Sequence, residues 1–583
     1  MVWCHFEDVE LEFPTISLQA GGISSSRQRK GEPSMDEAAS AGVGPISGLL
    51  NRVSKATGIL GEIPFLSSFA APASWATAIM ARSAKAMGWS KPTYMTNANR
   101  MQMGIYPNML NVDGVDMGQK MSLCGDNHIE NLPGFAGTDI DEMSIASLVQ
   151  RPCYVSDVDW SVNHAEGTEL GYWVLDPKGL CSRSSVSDGT HSYVVINPTP
   201  AFYLSNLFMY WRGSINFTFK VVKTEFHSGR IMFAFAPGKL MAPTAVTYSN
   251  SEYLYREVLD LRTSNEISFS IPFVSTVPYL KRFEHFGILK AFVVNPLRAP
   301  TTVSSTVNII SEVSFGADFE VAFHRPMDVN GLKPVLYTQA GVGERSGEEL
   351  RGTQIATAPP NIGSGSVQDS GELAPARFCI GERILSIRQI IKRFTMSYYS
   401  SFVGESNTAI NIVCYAYKLR RIVAGSPFPD LSPYKIDLLD YFSPLYAMAR
   451  GGERYKYMQN SGACDLHFAR LTPSKGYVVP TSIISPGIPP QDGTLVCAYT
   501  QKGHQAGIEV EVPAYQSTHT RSVYCSYPTD VLWYSLGDES PSVLLNLGGS
   551  DPLVSANLMR AASDDFQFGF FIGTVPLLDP AFA

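Results

Sequence analysis

Residues 219–237 read FKVVKTEFHSGRIMFAFAP, two runs of β-branched and aromatic side chains, FKVVKTEF (219–226) and IMFAFAP (231–237), parted by a Ser-Gly break. Runs this short suit extended chain, where branched and aromatic side chains pack on a pleated surface. LKAFVVN (289–295) and FEVAFH (319–324) repeat the pattern, with Gly, Pro, Asn or Ser as punctuation. Many short strands joined by turns predict a sandwich or barrel. Further on the plan recurs: an apolar-periodic stretch, IGERILSIRQIIKRF (380–394), leads into INIVCYAYKL (410–419), GTLVCAYT (493–500), IEVEVPAY (508–515) and FQFGFFIG (566–573). Two β domains of similar size follow from this reading, each with a loose arm before it.

The totals agree with that organisation. A chain of 583 residues is too long for one core. Hydrophobic content of 45% with 17% charge describes a globular protein, and 11% aromatic with 48 Gly and 38 Pro favours strands and turns over helices. A formal charge of -8 gives no global basic character, so any nucleic-acid contact has to come from local patches. The nine cysteines are scattered, odd in number and never spaced as Cys-x-x-Cys, which argues against a disulfide framework or a zinc site and fits a reducing compartment. No histidine pair has the His-x-x-x-His or His-Glu-x-x-His spacing, and neither GxGxxG nor GxxxxGK[ST] occurs, so no metal or cofactor is expected. No uninterrupted apolar run reaches the roughly 18 residues of a spanning helix.

The first residues, MVWCHFEDVELEFPT, are acidic where a secretory leader would be basic and then apolar. Val9, Leu11 and Phe13 alternate with Glu10 and Glu12, a strand pattern with nothing before it to pair with, as at the end of a preceding unit. Residues 20–44 are rich in Gly, Ser, Ala and charge and read as a flexible linker. Over 46–60 and 73–88 the period becomes helical: Ile46, Leu49, Leu50 and Val53, then Trp75, Ile79, Met80 and Met87, opposite Arg52, Lys55, Arg82 and Lys85. Such a helical pair is either an arm packed on the β body or a membrane-active segment. A second polar linker covers 341–376.

Gln19-Ala20-Gly21 and Gln339-Ala340-Gly341 stand where a strand-rich unit gives way to one of these linkers. An accessible, extended connector is what a protease requires, so the pair reads as two matched cut sites, or more plainly as common loop residues. RGGERYKYM (450–458) gathers Arg450, Arg454 and Lys456 beside aromatics. That composition could bind RNA; a strand with one solvated face explains it more simply.

NVDGVDMGQKMSL (111–123) followed by GTDIDEMS (137–144) resembles the amino-terminal arm of a coat protein from dicistrovirus-like and marine picorna-like RNA viruses. YWRGSINFTFKVVKTEFHSGRIMFAFAPG (210–238) is similar to the centre of that protein's jelly roll, and FCIGERILSIRQIIKRF (378–394) with YAMARGGERYKY (446–457) to the neighbouring coat protein. The resemblance covers nearly the whole chain. It implies an all-β fold of two antiparallel eight-stranded jelly-roll β-sandwich domains, with a short helical segment and disordered linkers N-terminal to them. Residues 1–19 would be the C-terminal strand of a preceding coat protein, 20–89 a linker plus the small internal capsid protein, and 90–339 and 340–583 two coat proteins with N-terminal arms.

The implied role is a structural capsid precursor of a non-enveloped positive-strand RNA virus, made and assembled in the host cytoplasm and cleaved into the subunits of an icosahedral virion. Its implied partners are other capsid subunits, a viral cysteine protease, the genomic RNA inside the particle and a host membrane met through residues 45–89. The protease would cut Gln19-Ala20 and Gln339-Ala340. A further cut at Trp89-Ser90, in GWSKP, would occur inside the particle, and the family assigns it to Asp564-Asp565-Phe566, found here in ASDDFQFGFF (562–571). Adjacent carboxylates buried by assembly cannot easily both stay ionised, so one pKa should rise and the pair could serve as acid and base for a water attacking the amide. The plainer reading is a turn cap. One turnover between neighbouring subunits suffices, so the chain is not an enzyme in the ordinary sense. The competing class, a tandem β-sandwich host binding module of lectin or adhesion type, would carry paired cysteines and a leader.

Overall fold

A computed structural model describes most of residues 111–325, residues 333–337 apart from 335, and a series of stretches between 379 and 579. The described residues all fall within one compact unit, Met103–Ala583. The eight principal strands of the first domain are β1 (Cys153–Ser161), β2 (Glu169–Val174), β3 (Ile215–Val222), β4 (Ser228–Pro237), β5 (Tyr255–Asp260), β6 (Glu266–Ile271), β7 (Gly287–Arg298) and β8 (Thr306–Phe315). They form two four-stranded antiparallel sheets in the orders β6-β3-β8-β1 and β2-β7-β4-β5. The second domain repeats this with β9 (Thr395–Val403), β10 (Thr408–Val413), β11 (Glu453–Ser461), β12 (Cys464–Thr472), β13 (Cys497–Gln501), β14 (Gly507–Val512), β15 (Ser542–Gly549) and β16 (Leu553–Ala562). Its eight principal strands take the same orders, β14-β11-β16-β9 and β10-β15-β12-β13, with Ile484–Gly487 added beside β10. This is the expected all-β jelly roll, twice.

Alternation decides which sheet faces meet. In β3, Ile215, Phe217, Phe219 and Val221 are buried while Asn216, Thr218 and Lys220 are half-exposed. β8 does the same through Val307, Ile309, Val313 and Phe315. Between the sheets Phe219 stacks on Phe233 at 4.1 Å and meets Trp173 edge-on at 4.9 Å. The unbroken apolar run of β4 has a different cause: both of its faces are covered. Ile231, Phe233 and Phe235 enter the main core, while Met232, Ala234 and Ala236 lie in a second cluster with Val246 and Phe292.

Length alone predicts separate cores, but among the described residues the two domains share one apolar core, because the helices between them bury apolar faces against both. It includes Ile145, Leu148 and Val149 of helix α1 (Ile145–Val149), Phe202 of α2 (Pro200–Ser205), Ile387, Ile390 and Ile391 of α3 (Ile387–Ile391), and Leu438, Leu439 and Phe442 of α4 (Leu438–Phe442). The helices come in matched pairs. Thr199 caps α2 by accepting from Phe202 N–H, and Asp437 caps α4 by accepting from Asp440 N–H. Immediately before α1 and α3 the two arms pair with each other at Ser144 and Ser386. Ile145 N–H donates to Leu385 and Ile387 N–H to Met143, both at 2.9 Å, and Arg388 bridges Asp141 at 2.6 Å.

Each domain also reaches across to the other. Gln119–Lys120, ahead of the first domain, adds a parallel strand to β14 of the second. Leu577–Asp579, at the far end of the second domain, pairs with Ser192–Asn197 of the first. Arms read from the sequence as loose are thus engaged, over their described parts, within a single chain. Backbone hydrogen bonds left over at a sheet edge are the physical reason, since an extended arm can satisfy them.

The strands Glu320–His324 and Gln567–Phe571 carry a matched irregularity. Phe323 (φ 60°) and Phe570 (φ 59°) are left-handed within otherwise extended strands, and the ladder skips each while keeping register on either side. The amide that leaves the ladder is recovered by the other domain's arm. Phe323 N–H donates to Glu382 Oε1 at 2.9 Å, and Phe570 N–H to Glu142 Oε2 at 2.5 Å.

Candidate functional site at the Asp-Asp-Phe turn

Ser563 to Phe566 connect β16 to the strand Gln567–Phe571. Ser563 N–H donates to the Gly452 carbonyl at 3.1 Å, and Phe566 N–H closes the turn on the Ser563 carbonyl at 3.2 Å. Phe566 anchors it from inside: the ring is buried, edge-on to Phe568 at 4.8 Å, with the Arg521 guanidinium 5.5 Å from its centroid. The neighbouring chain has to come unusually close. A Cβ on Gly451 (φ +100°) would stand 2.4 Å from Phe566 Cα and 2.5 Å from the Asp565 carbonyl oxygen, so only glycine fits.

The two carboxylates take different partners. Asp565 Oδ1 accepts from Gly452 N–H at 2.9 Å and Oδ2 from Ile129 N–H at 3.1 Å. Ile129 belongs to the arm ahead of the first domain, so Asp565 ties that arm to the second domain. Asp564 is more open, its side chain 63% exposed, and lies 3.1 Å from Lys392 Nζ and 2.9 Å from Arg454 Nη2. Arg454 also faces Glu511 at 3.7 Å, and Glu511 in turn takes the Ser563 hydroxyl at 2.6 Å and Lys120 at 3.4 Å. Burial alone would raise the Asp564 carboxyl; Arg454 and Lys392 outweigh it and hold the group below the usual carboxylate range. In the single chain Asp564 is therefore held in the direction opposite to the rise expected for a carboxylate pair buried by assembly.

The RGGERYKYM stretch joins the end of one strand, Tyr446–Arg450, through Gly451-Gly452 to the start of β11, and its charges are not on a solvated face. Arg450 is buried, with Nη2 donating to the Glu130 carbonyl at 3.0 Å, and Lys456 is 2% exposed, bridging Glu509 at 2.9 Å over the Phe394 ring. Buried cations need such partners, which removes them from any outward RNA surface. Gln19, Ala20, Trp89, Ser90, Gln339 and Ala340 lie outside the described residues, as do the segments 46–60 and 73–88. Just ahead of Gln339, Leu336–Tyr337 pairs in parallel with Leu419–Ile422 of the second domain.

Sequence reasoning missed several members of this site. The Gly451-Gly452 pair stands in the quoted motif, and its doubled glycine was a legible sign of close backbone approach. Ile129, Lys392 and Arg454 had no such sign, because each converges on the turn from a distant segment.

Residues 374–581 match a family described as CRPV capsid protein like, and residues 203–298 match the picornavirus capsid protein family. The chain is 27% identical over 690 aligned positions to the structural polyprotein of Cricket paralysis virus, covering 100% of this chain and 75% of that protein. It is 24% identical over 593 positions to the structural polyprotein of Acute bee paralysis virus, covering 91% of this chain and 60% of the relative. Among solved structures the Triatoma virus empty capsid aligns with 27% identity, a TM-score of 0.34, and coverage of 41% of this chain and 98% of that one.

Proposed function

We propose that this chain, a capsid-protein precursor of the picorna-like viruses related to the dicistroviruses, is cut into an interlocked pair of coat subunits and matures through its Asp-Asp-Phe turn. Its role is structural, and a tandem host binding module is not favoured by these relatives. The observation that carries the reading is the arm exchange: the arm after the proposed Trp89-Ser90 cut and the segment before Gln339-Ala340 are bonded to the second domain, and the arm after Gln339-Ala340 is bonded to the first. Cutting Gln339-Ala340 then frees chain ends without separating the subunits, because Leu336–Tyr337 stays paired to Leu419–Ile422.

Within the turn, the roles divide by accessibility. Both oxygens of Asp565 are occupied by backbone amides, one from the arm that runs upstream toward Trp89-Ser90, so Asp565 positions that arm. Asp564 is the open carboxylate and would accept the proton of the attacking water. A carboxylate held ionised by two cations is a weak base, which suits a slow event needed once per subunit. The residues 20–89, released as the small internal protein, would meet genomic RNA or a host membrane, and assembly in the host cytoplasm with other capsid subunits completes the reading.

Co-expression with the cysteine protease of the same virus tests it. New ends after Gln19 and Gln339 in mass spectra, with the products co-purifying as one complex, are expected. A single intact species under active protease, or products that separate on gel filtration, would overturn it.

A further inference from the structure

An open cleft of about 310 Å³ lies at one end of the first domain's β2-β7-β4-β5 sheet, lined by Ser228, Arg230, Asp260, Arg262, Asn295 and Arg298 with Gly229 and Pro296. Three arginines face one aspartate, in a chain whose formal charge is -8. Each of the three is exposed.

The one carboxylate is already committed. Asp260 Oδ2 takes Arg230 Nε at 2.9 Å, and Oδ1 takes the Arg262 N–H at 3.0 Å. Those contacts hold the Asp260 carboxyl below its usual range, the Arg262 backbone bond being the largest cause and Arg230 the next. Asp260 therefore stays ionised and orients Arg230, while two further guanidinium charges in the cleft have no carboxylate of their own among its lining. The backbone beneath is irregular in the same place: the β7–β4 register shifts between Val293 and Asn295 and again between Asn295 and Arg298. Irregular pairing of this kind re-aims side chains at the end of a sheet.

We propose that this cleft is an anion site for the sulfate ester of a sulfated sugar. Guanidinium forks match tetrahedral oxyanions through paired N–H donors, and convergent arginines hold them where a lone lysine would not. An apolar ligand is excluded by a lining that, Pro296 and Gly229 apart, is polar or charged. Single-stranded nucleic acid shares the anion chemistry but binds along a groove with aromatic platforms for its bases, and no aromatic residue lines this cleft. A compact, concave cation cluster fits one sulfated saccharide unit better.

The test uses the full chain and a fluorescent heparin-derived hexasaccharide, with its desulfated counterpart and a single-stranded RNA oligonucleotide as competitors. Saturable binding is expected that the desulfated sugar does not compete, weakened by at least about tenfold in the Arg262→Ala/Arg298→Ala double variant. Arg256→Ala, an exposed arginine of the same β5 strand outside the lining, removes charge without touching the cleft and should bind as the parent does. Equal losses in Arg256→Ala and in the double variant would reduce the effect to general charge and overturn the proposal. So would the absence of saturable binding, or an RNA oligonucleotide that displaces the sugar through the same two arginines. Circular dichroism and thermal melting of each variant keep a loss of binding distinct from a loss of fold.

Discussion

The Tyr203 hydroxyl donates to the Tyr441 backbone carbonyl at 2.5 Å, and the Tyr441 hydroxyl returns the bond to the Tyr203 carbonyl at 2.7 Å. The rings stack at 4.4 Å, both are buried, and each is the fourth residue after its helix cap, Thr199 or Asp437. Equivalent residues of two like domains thus exchange the same bond, as at an interface built about a two-fold axis. Tyr203→Phe and Tyr441→Phe each leave one buried carbonyl without this donor. Each is expected to cost about 1–2 kcal/mol in urea unfolding, with the double variant departing from additivity because the sites touch.

Alkaline pH should loosen the second domain abruptly. Burial is the largest cause pushing up the hydroxyls of Tyr415, Tyr417, Tyr441, Tyr446 and Tyr455. A group whose folded pKa is raised supplies stability in full below its unfolded value, about 10 for tyrosine, and loses it as pH climbs toward the folded one. Tyrosinate absorbance and unfolding monitored together above pH ~10 should therefore rise in one cooperative step. Gradual, independent titration with the fold intact would contradict this.

Arg560 is the hub of a buried charge cluster, 2.9 Å from Asp437, 2.6 Å from Asp440 and 3.9 Å from Glu453. Removing it leaves carboxylates stranded in the core, whereas an exposed pair would hardly register. Arg560→Ala is expected to destabilise the chain by about 3–5 kcal/mol, measured as a shift in urea midpoint. Arg230→Ala, at an exposed pair, should change it by less than about 1 kcal/mol.

Gly451→Ala should fail where Gly573→Ala is tolerated better. Both have positive φ, but a Cβ at 451 would collide with the Asp-Asp-Phe backbone while 573 has nothing within 4 Å. The first is expected to cost more than about 3 kcal/mol, combining backbone strain with a clash that has no flexible side chain to absorb it. Comparing melting temperatures of the two variants separates clash from strain.

The carboxylates of the turn should part company on substitution. Asp564→Asn removes an exposed partner of Lys392 and Arg454, so stability should change by less than about 1 kcal/mol while cleavage at Trp89-Ser90 in assembled particles is lost. Asp565→Ala leaves two backbone amides without their acceptor and should release the arm, read as new protease sensitivity around Ile129. Full cleavage in Asp564→Asn particles would remove that residue from the reaction.

The jelly rolls were readable because alternation is a local property. A strand with one face in a core has to repeat every second residue, as Ile215, Phe217, Phe219 and Val221 do, and that repeat survives with no knowledge of the partner strand. The Asp-Asp-Phe motif stood out only through the family resemblance; by themselves its three letters read as a turn before a strand. The misreading of Arg450 and Lys456 shows where locality ends. Alternation separates the faces of a strand but does not say which face is covered, and here the charged residues turn into pockets supplied by Glu130, Phe394 and Glu509.

What chemistry alone carried is therefore the element list: strands, turns and the residue types able to cap them. Only folding in three dimensions decided who meets whom. The exchange of Tyr203 with Tyr441, the pairing of Ser144 with Ser386, and the seating of Ile129 on Asp565 join residues hundreds of positions apart. Each depends on a backbone donor or acceptor that a strand or helix left unpaired, and a backbone group carries no mark in the sequence to say which distant segment will satisfy it.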